Sequence, residues 1–253
     1  MAEKRKQLPH IGLTIGGVSE GVLVCGDPAR ATTIAGLLDE ATLLAEWREY
    51  RSYQGTYHGR TVTICSHGIG APGAAIAFEE LIAAGARVII RVGTCGGIRP
   101  EVQAGHLVVV TGAVDHTGYG REVVPPGYPA TADVDVVLAL RQAARGAAQP
   151  VHTGFVLTRD AFYGGPPLPA APVYETMAAA RVLAVEMECA ALFQVGSLRQ
   201  IKTGAILAAD GNVLHSKEDM HTFDPRREET QQATEAAMRM ALEAVIQVDD
   251  GSG

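Results

Sequence analysis

No run of apolar residues in this sequence approaches the roughly 18 that a membrane span needs. The opening stretch, MAEKRKQLPHIG, carries charge but lacks the apolar segment of a secretion signal. The chain is therefore expected to be cytoplasmic. Cysteine is sparse: Cys25, Cys65, Cys95 and Cys189 are spaced 30 or more residues apart and form no C-x-x-C pair. They read as small buried hydrophobes, and neither a disulfide framework nor a metal site is expected. Basic charge is also in deficit, with 21 Lys+Arg against 28 Asp+Glu and a net charge of -7. That excludes the basic surface typical of nucleic-acid binders, so any anionic ligand must be met by local charges.

What is present is a core. Of the 253 residues, 47% are hydrophobic, enough for one large α/β domain and too many for a disordered chain. Short β-branched runs recur and end in glycine or polar residues. Val22–Cys25 leads to Gly26, Val62–Cys65 to Ser66-His67-Gly68, Val88–Ile90 to Arg91-Val92-Gly93, and Ala205–Ala208 to Asp210. Leu107–Val110 is a further strand candidate. These read as strands buried on both faces. Helical patterns separate them at Ala74–Ala84, Asp133–Arg145, Glu188–Leu198 and Arg226–Val245, the last with Asp224 as N-cap and Pro225 at its first position. Alternation of this kind predicts a mainly parallel or mixed sheet wrapped by helices, with ligands at the carboxyl ends of the strands. The prolines at 125, 126 and 129, and those at 166, 167, 169 and 172, mark loops within the domain. One domain over 1–253 is expected, with about 1–8 and 249–253 as flexible tails.

Several residues suit chemistry at those strand ends. Gly26-Asp27-Pro28-Ala29-Arg30 follows a strand and precedes a helix-compatible stretch from Ala31 to Leu38. Such a turn offers backbone N–H groups and a helix N-terminus to a phosphate, although it also serves as a plain connection. Arg91 lies inside an apolar strand, where an unpaired charge costs several kcal/mol. It needs a carboxylate partner or an anionic ligand, and the neighbouring Thr94 and glycines suit the ligand. Glu186 and Glu188 flank Met187 at the start of an apolar helix, where the dipole explains one glutamate more readily than two. Asp210 ends a strand as either a turn residue or a site acid. Most of the eight histidines read as surface or turn residues, and His215, Asp219 and His221 fit no strong metal-ligand spacing.

In combination the sequence resembles the hexameric nucleoside phosphorylase family, which includes uridine phosphorylases and one class of purine nucleoside phosphorylases. The resemblance runs from Pro9 to about Val245. It is carried by PHIGLT at 9–14, GDPAR at 26–30, WREY at 47–50, SHGIG at 66–70, RVGTCGGI at 91–98, VEME at 185–188 and Ala209-Asp210-Gly211. It implies a single α/β domain with a mixed, partly barrel-like sheet. It further implies a phosphate pocket of Gly26, Arg30, Arg91 and Thr94, with Arg48 lent by a neighbouring subunit. His10 of that neighbour is implied to contact the ribose 5′-hydroxyl. Met187 and Glu188 resemble the ribose-binding pair, Glu186 lies beside the base, and Phe162 resembles the aromatic residue near it. Asp210 resembles the acid that protonates a leaving purine. Phosphate is the co-substrate, with no metal or organic cofactor. A dimer is the smallest complete unit, usually assembled into a hexamer.

The base is the open point. Uridine phosphorylases typically follow Phe-Tyr with a glutamine and an arginine that bind uracil. Here Phe162-Tyr163 is followed by Gly164-Gly165-Pro166-Pro167-Leu168, which cannot make those hydrogen bonds. With Asp210, this favours a purine nucleoside such as inosine or guanosine, most like the protozoan purine enzymes. Uridine phosphorylase is the alternative. A nucleosidase has no use for three arginines, and a non-catalytic binding protein would not need Arg91, Glu188 and Asp210 together. Arg226 and Arg227 are poorly spaced for the arginine that bacterial purine enzymes carry downstream of the acid.

Overall fold

The computed structural model describes residues 7–163, 171–215, 221, 223–224 and 227–248. In chain order the elements are β1 (Gly21–Cys25), α1 (Pro28–Ala35), β2 (Asp39–Trp47), β3 (Tyr50–Tyr57) and β4 (Arg60–Ser66). They continue with α2 (Ala71–Ala84), β5 (Val88–Gly97), β6 (Leu107–His116), α3 (Gly118–Val123), β7 (Ala130–Thr131) and α4 (Val134–Ala143). The last third holds β8 (Val151–Arg159), α5 (Tyr174–Ala179), β9 (Ala184–Glu186), α6 (Cys189–Arg199), β10 (Lys202–Asn212) and α7 (Glu228–Gln247).

The strands form one mixed sheet in the order β10-β6-β8-β9-β5-β1-β4-β3-β2, and β10 also pairs with β5. That second pairing closes β10, β6, β8, β9 and β5 into a five-stranded barrel, from which β1, β4, β3 and β2 extend as a wing. The expected single α/β domain with a partly barrel-like sheet is what forms. β1, β4, β5 and β10 run parallel to one another, so their carboxyl ends share one rim. One apolar cluster, including Phe78, Phe193, Val108 and Leu207, packs α2 and α6 on the barrel. A second, including Ile34, Ile90, Leu140 and Leu242, packs α1, α4 and α7 on the other surface. Among the described residues no helix is long and apolar enough to cross a membrane. All four cysteines are free and buried, as read from their apolar surroundings.

Several elements differ from expectation. The glycine-rich ends do not leave the sheet. Residues through Gly97 stay paired, with Thr94 opposite Ala208 and Gly96 opposite Val185, because barrel closure supplies new partners where an open sheet would end. Glu186 ends β9 and Glu188 is the N-cap of α6, so only the second stands at the helix start. Asp224 does not cap the final helix, which begins at Glu228 after Arg227; Glu228 and Glu229 bring negative charge to its first turn. Pro225 and Arg226 lie outside the described residues, as do Gly164 to Ala170 and the tails 1–6 and 249–253. Gln7 and Leu8, expected in a flexible tail, are tied back: Leu8 N–H donates to Leu13 O at 2.7 Å and the Gln7 amide to Gly12 O at 2.8 Å.

Closure requires close backbone approach at Gly97. A Cβ there would lie 2.3 Å from Val102 O, which is backbone and cannot rotate away. Gly97→Ala is expected to destabilise the fold by about 1–3 kcal/mol, read as a lowered midpoint in chemical denaturation.

Candidate active site

The common rim collects most of the sequence-marked residues. β1 delivers Gly26 and the N-terminus of α1, capped by Asp27, whose carboxylate accepts from Ala29 N–H at 2.8 Å. β4 delivers His67 and Gly68 alongside: His67 N–H donates to Cys25 O at 2.8 Å and Gly68 N–H to Gly26 O at 3.0 Å. A Cβ on Gly26 would lie 3.2 Å from Gly68 O, so the two turns are nearly in contact. β5 contributes Arg91 and Thr94, β9 and α6 contribute Glu186, Met187 and Glu188, and β10 contributes Asp210.

Arg91 is the centre of this arrangement. Its guanidinium is buried and lies over Gly93, where a Cβ would come within 2.5 Å of Nη1. Arg91 Nη2 donates to Glu188 Oε2 at 2.5 Å and reaches Glu186 Oε2 at 3.4 Å. The carboxylate partner left open by the sequence therefore exists. Burial opposes the Arg91 charge, but Glu188 and Glu186 outweigh it and hold the guanidinium protonated above its ordinary value. Its Nε has no hydrogen-bond partner among the described residues. A buried donor left over after both carboxylates are engaged marks room for an acceptor brought from outside.

The carboxylates have distinct duties. Glu186 Oε2 accepts from the backbone N–H of Glu188 at 2.8 Å and of Cys189 at 2.9 Å, while Oε1 accepts from Thr158 Oγ1 at 2.5 Å. Both its oxygens accept hydrogen bonds, so it supports the start of α6 as well as Arg91. Glu188 Oε1 instead accepts from Gly70 N–H, at 2.6 Å, at the start of α2. Burial pushes its carboxyl up, with Arg91 opposing and Glu186 adding to the shift. Half-buried Met187 sits between the two.

His67 was only part of a motif in the sequence, and the structure gives it a role. It is fully buried against Phe78. Burial, helped by Arg91, holds it well below its ordinary pKa and hence neutral. Nδ1 lies 2.8 Å from Gly68 O, which can only accept, so Nδ1 carries the proton and Nε2 faces Arg91 Nη1 at 3.4 Å as a lone pair. The signal available in the sequence was a histidine ending an apolar strand. Arg30 reaches Val92 O at 3.5 Å; burial lowers its pKa and the neighbouring Arg91 charge adds to the effect. Two like charges this close favour an anion between them.

Asp210 occupies a β-bulge: Ala209 pairs with Cys95 and Gly211 with Gly96, leaving Asp210 as the extra residue. Bulges of this kind re-aim a side chain at a site. Burial raises its pKa from 3.8 to about 7, against the charges of Arg227 and Arg30. Arg227, set aside in the sequence for its spacing, thus acts on Asp210 from the N-terminus of α7.

Three marked residues lie apart. Phe162 is exposed beyond β8 and faces Phe223 with ring centroids 6.2 Å apart. Arg48 is exposed at the tip of the β2–β3 hairpin with a positive φ of 54°. His10 is held by Glu80 on α2, and its loop packs on the hairpin, since a Cβ on Gly12 would lie 3.0 Å from the Trp47 ring. The segment after His10 thus meets the hairpin that carries Arg48; Leu43, Trp47 and Ile69 are also exposed. The residues Pro166, Pro167 and Leu168, on which the base argument rests, lie outside the described residues, as does Asp219. Among the described residues no group of three metal-ligating side chains gathers.

The sequence profile of the phosphorylase superfamily matches residues 21–247. The chain belongs to that superfamily. It is 36% identical to the guanosine phosphorylase of Halorubrum lacusprofundi over 94% of this chain and 97% of the relative. It is 39% identical to the uridine phosphorylase of Treponema pallidum, covering 93% and 92%. Among solved structures, the purine nucleoside phosphorylase of Toxoplasma gondii in complex with immucillin-H superposes with a TM-score of 0.88 at 34% identity, covering 97% of each chain. The protein is a nucleoside phosphorylase, and relatives of both base classes stand at similar identity.

Removing Glu188 leaves Arg91 with only the longer contact to Glu186. Glu188→Ala is expected to lose about 3–5 kcal/mol of stability in phosphate-free buffer. The loss should be smaller in phosphate, which replaces the missing negative charge; melting with and without phosphate checks both.

Proposed function

We propose that the protein cleaves purine nucleosides of the inosine and guanosine type with inorganic phosphate, giving free base and ribose 1-phosphate. The observation that carries this reading is Asp210, a carboxyl that burial holds near neutrality on the rim that also bears Arg30 and Arg91. A leaving purine gains electrons and is helped by a proton at N7, a task for an acid with a pKa near the working pH.

Gly26, Arg30, Arg91 and Thr94 hold the phosphate, and Arg48 of a second copy completes the cradle. The free Arg91 Nε is an additional donor for it. Glu188 accepts from the 2′- and 3′-hydroxyls with Met187 beside the sugar, and His10 of the second copy meets the 5′-hydroxyl. Phe162 packs near the base, and Glu186 supports Arg91 and α6. A phosphate oxygen attacks the anomeric carbon as the bond to the base breaks. The fixed phosphate stabilises the oxocarbenium-like charge, and Asp210 gives its proton to the departing base. No metal or organic cofactor enters. The active unit is at least a dimer, with a hexamer as the assembled form and the cytoplasm as its place of action.

Base release from inosine and from uridine, each with and without phosphate, tests the reading. Phosphate-dependent cleavage of inosine is expected; cleavage of uridine alone would instead establish the pyrimidine alternative. Since the acid must be protonated, kcat/KM for phosphorolysis should fall as pH rises through about 7, the pKa of Asp210. Asp210→Asn is expected to remove that limb and lower kcat by about 10²-fold or more, as a pH–rate profile of both forms will show.

A further inference from the structure

Glu80 is a polar residue of α2 whose carboxylate is committed to the segment carrying His10. Its Oε2 accepts from the backbone N–H of His10 at 3.1 Å and of Ile11 at 2.9 Å. Its Oε1 lies 2.6 Å from His10 Nδ1. The Glu80 side chain is 12% exposed and that of His10 is 44% exposed, so the orienting group is covered and the ring is open. A carboxylate has only acceptors to offer, so Nδ1 carries a proton, and in the neutral ring Nε2 is the lone pair.

We propose that Glu80 is the positioning residue that sets the tautomer and direction of His10, so that Nε2 accepts from the 5′-hydroxyl of a nucleoside held by a second copy of this chain. The inference rests on the role proposed above for His10. The second copy is part of that role, and α2 contacts both His10 and Glu188. Gly70, at its N-terminus, donates to Glu188, and Glu80 lies ten residues further on. At 1.5 Å per residue that is about 15 Å along the axis, several times the span of a ribose ring. The two anchor points of α2 are thus set well apart along its axis. One helix thus serves two sites, its own through Gly70 and a neighbour's through Glu80.

Glu80→Gln keeps the shape but changes the chemistry. If its carbonyl oxygen remains on the two backbone N–H groups, its NH₂ faces Nδ1. The ring must then accept there, and the proton moves to Nε2. The test compares kcat/KM for inosine and 5′-deoxyinosine in the wild type, Glu80→Gln, His10→Ala and the double variant, with melting temperatures as a control on folding. Uridine and 5′-deoxyuridine form the equivalent pair should the base be a pyrimidine. Glu80→Gln is expected to cut the preference for the 5′-hydroxyl about fivefold, the size of one hydrogen bond, with turnover of the 5′-deoxy nucleoside within about twofold of wild type. The loss should lie in KM for the nucleoside, and Glu80→Gln should add nothing further to His10→Ala. Should Glu80→Gln fail to fold, Glu80→Asp, which withdraws the charge by one methylene, is read the same way. Equal loss on both nucleosides would mean that Glu80 only holds the fold, and overturns the proposal. An unchanged preference in His10→Ala would overturn the His10 reading itself, and the proposal with it.

Discussion

A guanidinium buried in the wall of a barrel has to be neutralised, and much of the rim is built around meeting that requirement for Arg91. Glu188 meets it directly, and Glu186 meets it at longer range while capping α6. His67 turns a lone pair toward the same group because burial keeps the ring neutral. Gly93 leaves the space in which the guanidinium lies. Each partner comes from a different element, so the charge ties β4, β5, β9 and α6 to one point. The energetic logic is asymmetric: such a pair adds little net stability when complete, but losing one partner is costly.

The same pairing bears on the proposed chemistry. The guanidinium proposed to hold phosphate is paired with the carboxylate proposed to hold ribose. Under the proposed function, phosphate enters by competing for Arg91, and as it does so it releases Glu188 toward the sugar hydroxyls. The protonation of Asp210 has a different cause. Asp210 owes its raised pKa to burial, and burial follows from the bulge that turns it off the regular ladder as β10 pairs with β5 on one side and β6 on the other. Barrel closure thus bears on the protonation of Asp210 as well as on the pairing of Arg91.

How much of this was legible depended on which physical signal each residue left in the chain. β1, β4, β5, β6 and β10 stood out because strands buried on both faces read as unbroken β-branched runs. β2 and β3 did not, since β2 is almost wholly exposed and β3 mixes tyrosines with arginine, serine and glutamine. Of β9 only three residues are strand, too few for any periodicity. Arg91 was visible because a charge in an apolar run demands an explanation. His67 was not, because nothing in a single histidine tells whether the surrounding chain will cover it. Glu80, in the middle of α2, leaves no local signal in the chain, because its engagement with His10 spans 70 residues of sequence.

The sequence by itself determined the α/β class, the elements of the doubly buried strands, the family, and the cluster of charged and glycine residues at the strand ends. These are local properties, written in hydrophobic periodicity and in the order of short motifs. The tertiary structure alone decided which carboxylate neutralises Arg91, that Glu186 holds the start of α6, that Asp210 titrates near neutrality, and that the loop after His10 packs on the hairpin bearing Arg48. Those outcomes depend on burial and on distances between segments remote in the chain, and both are set only when the barrel closes.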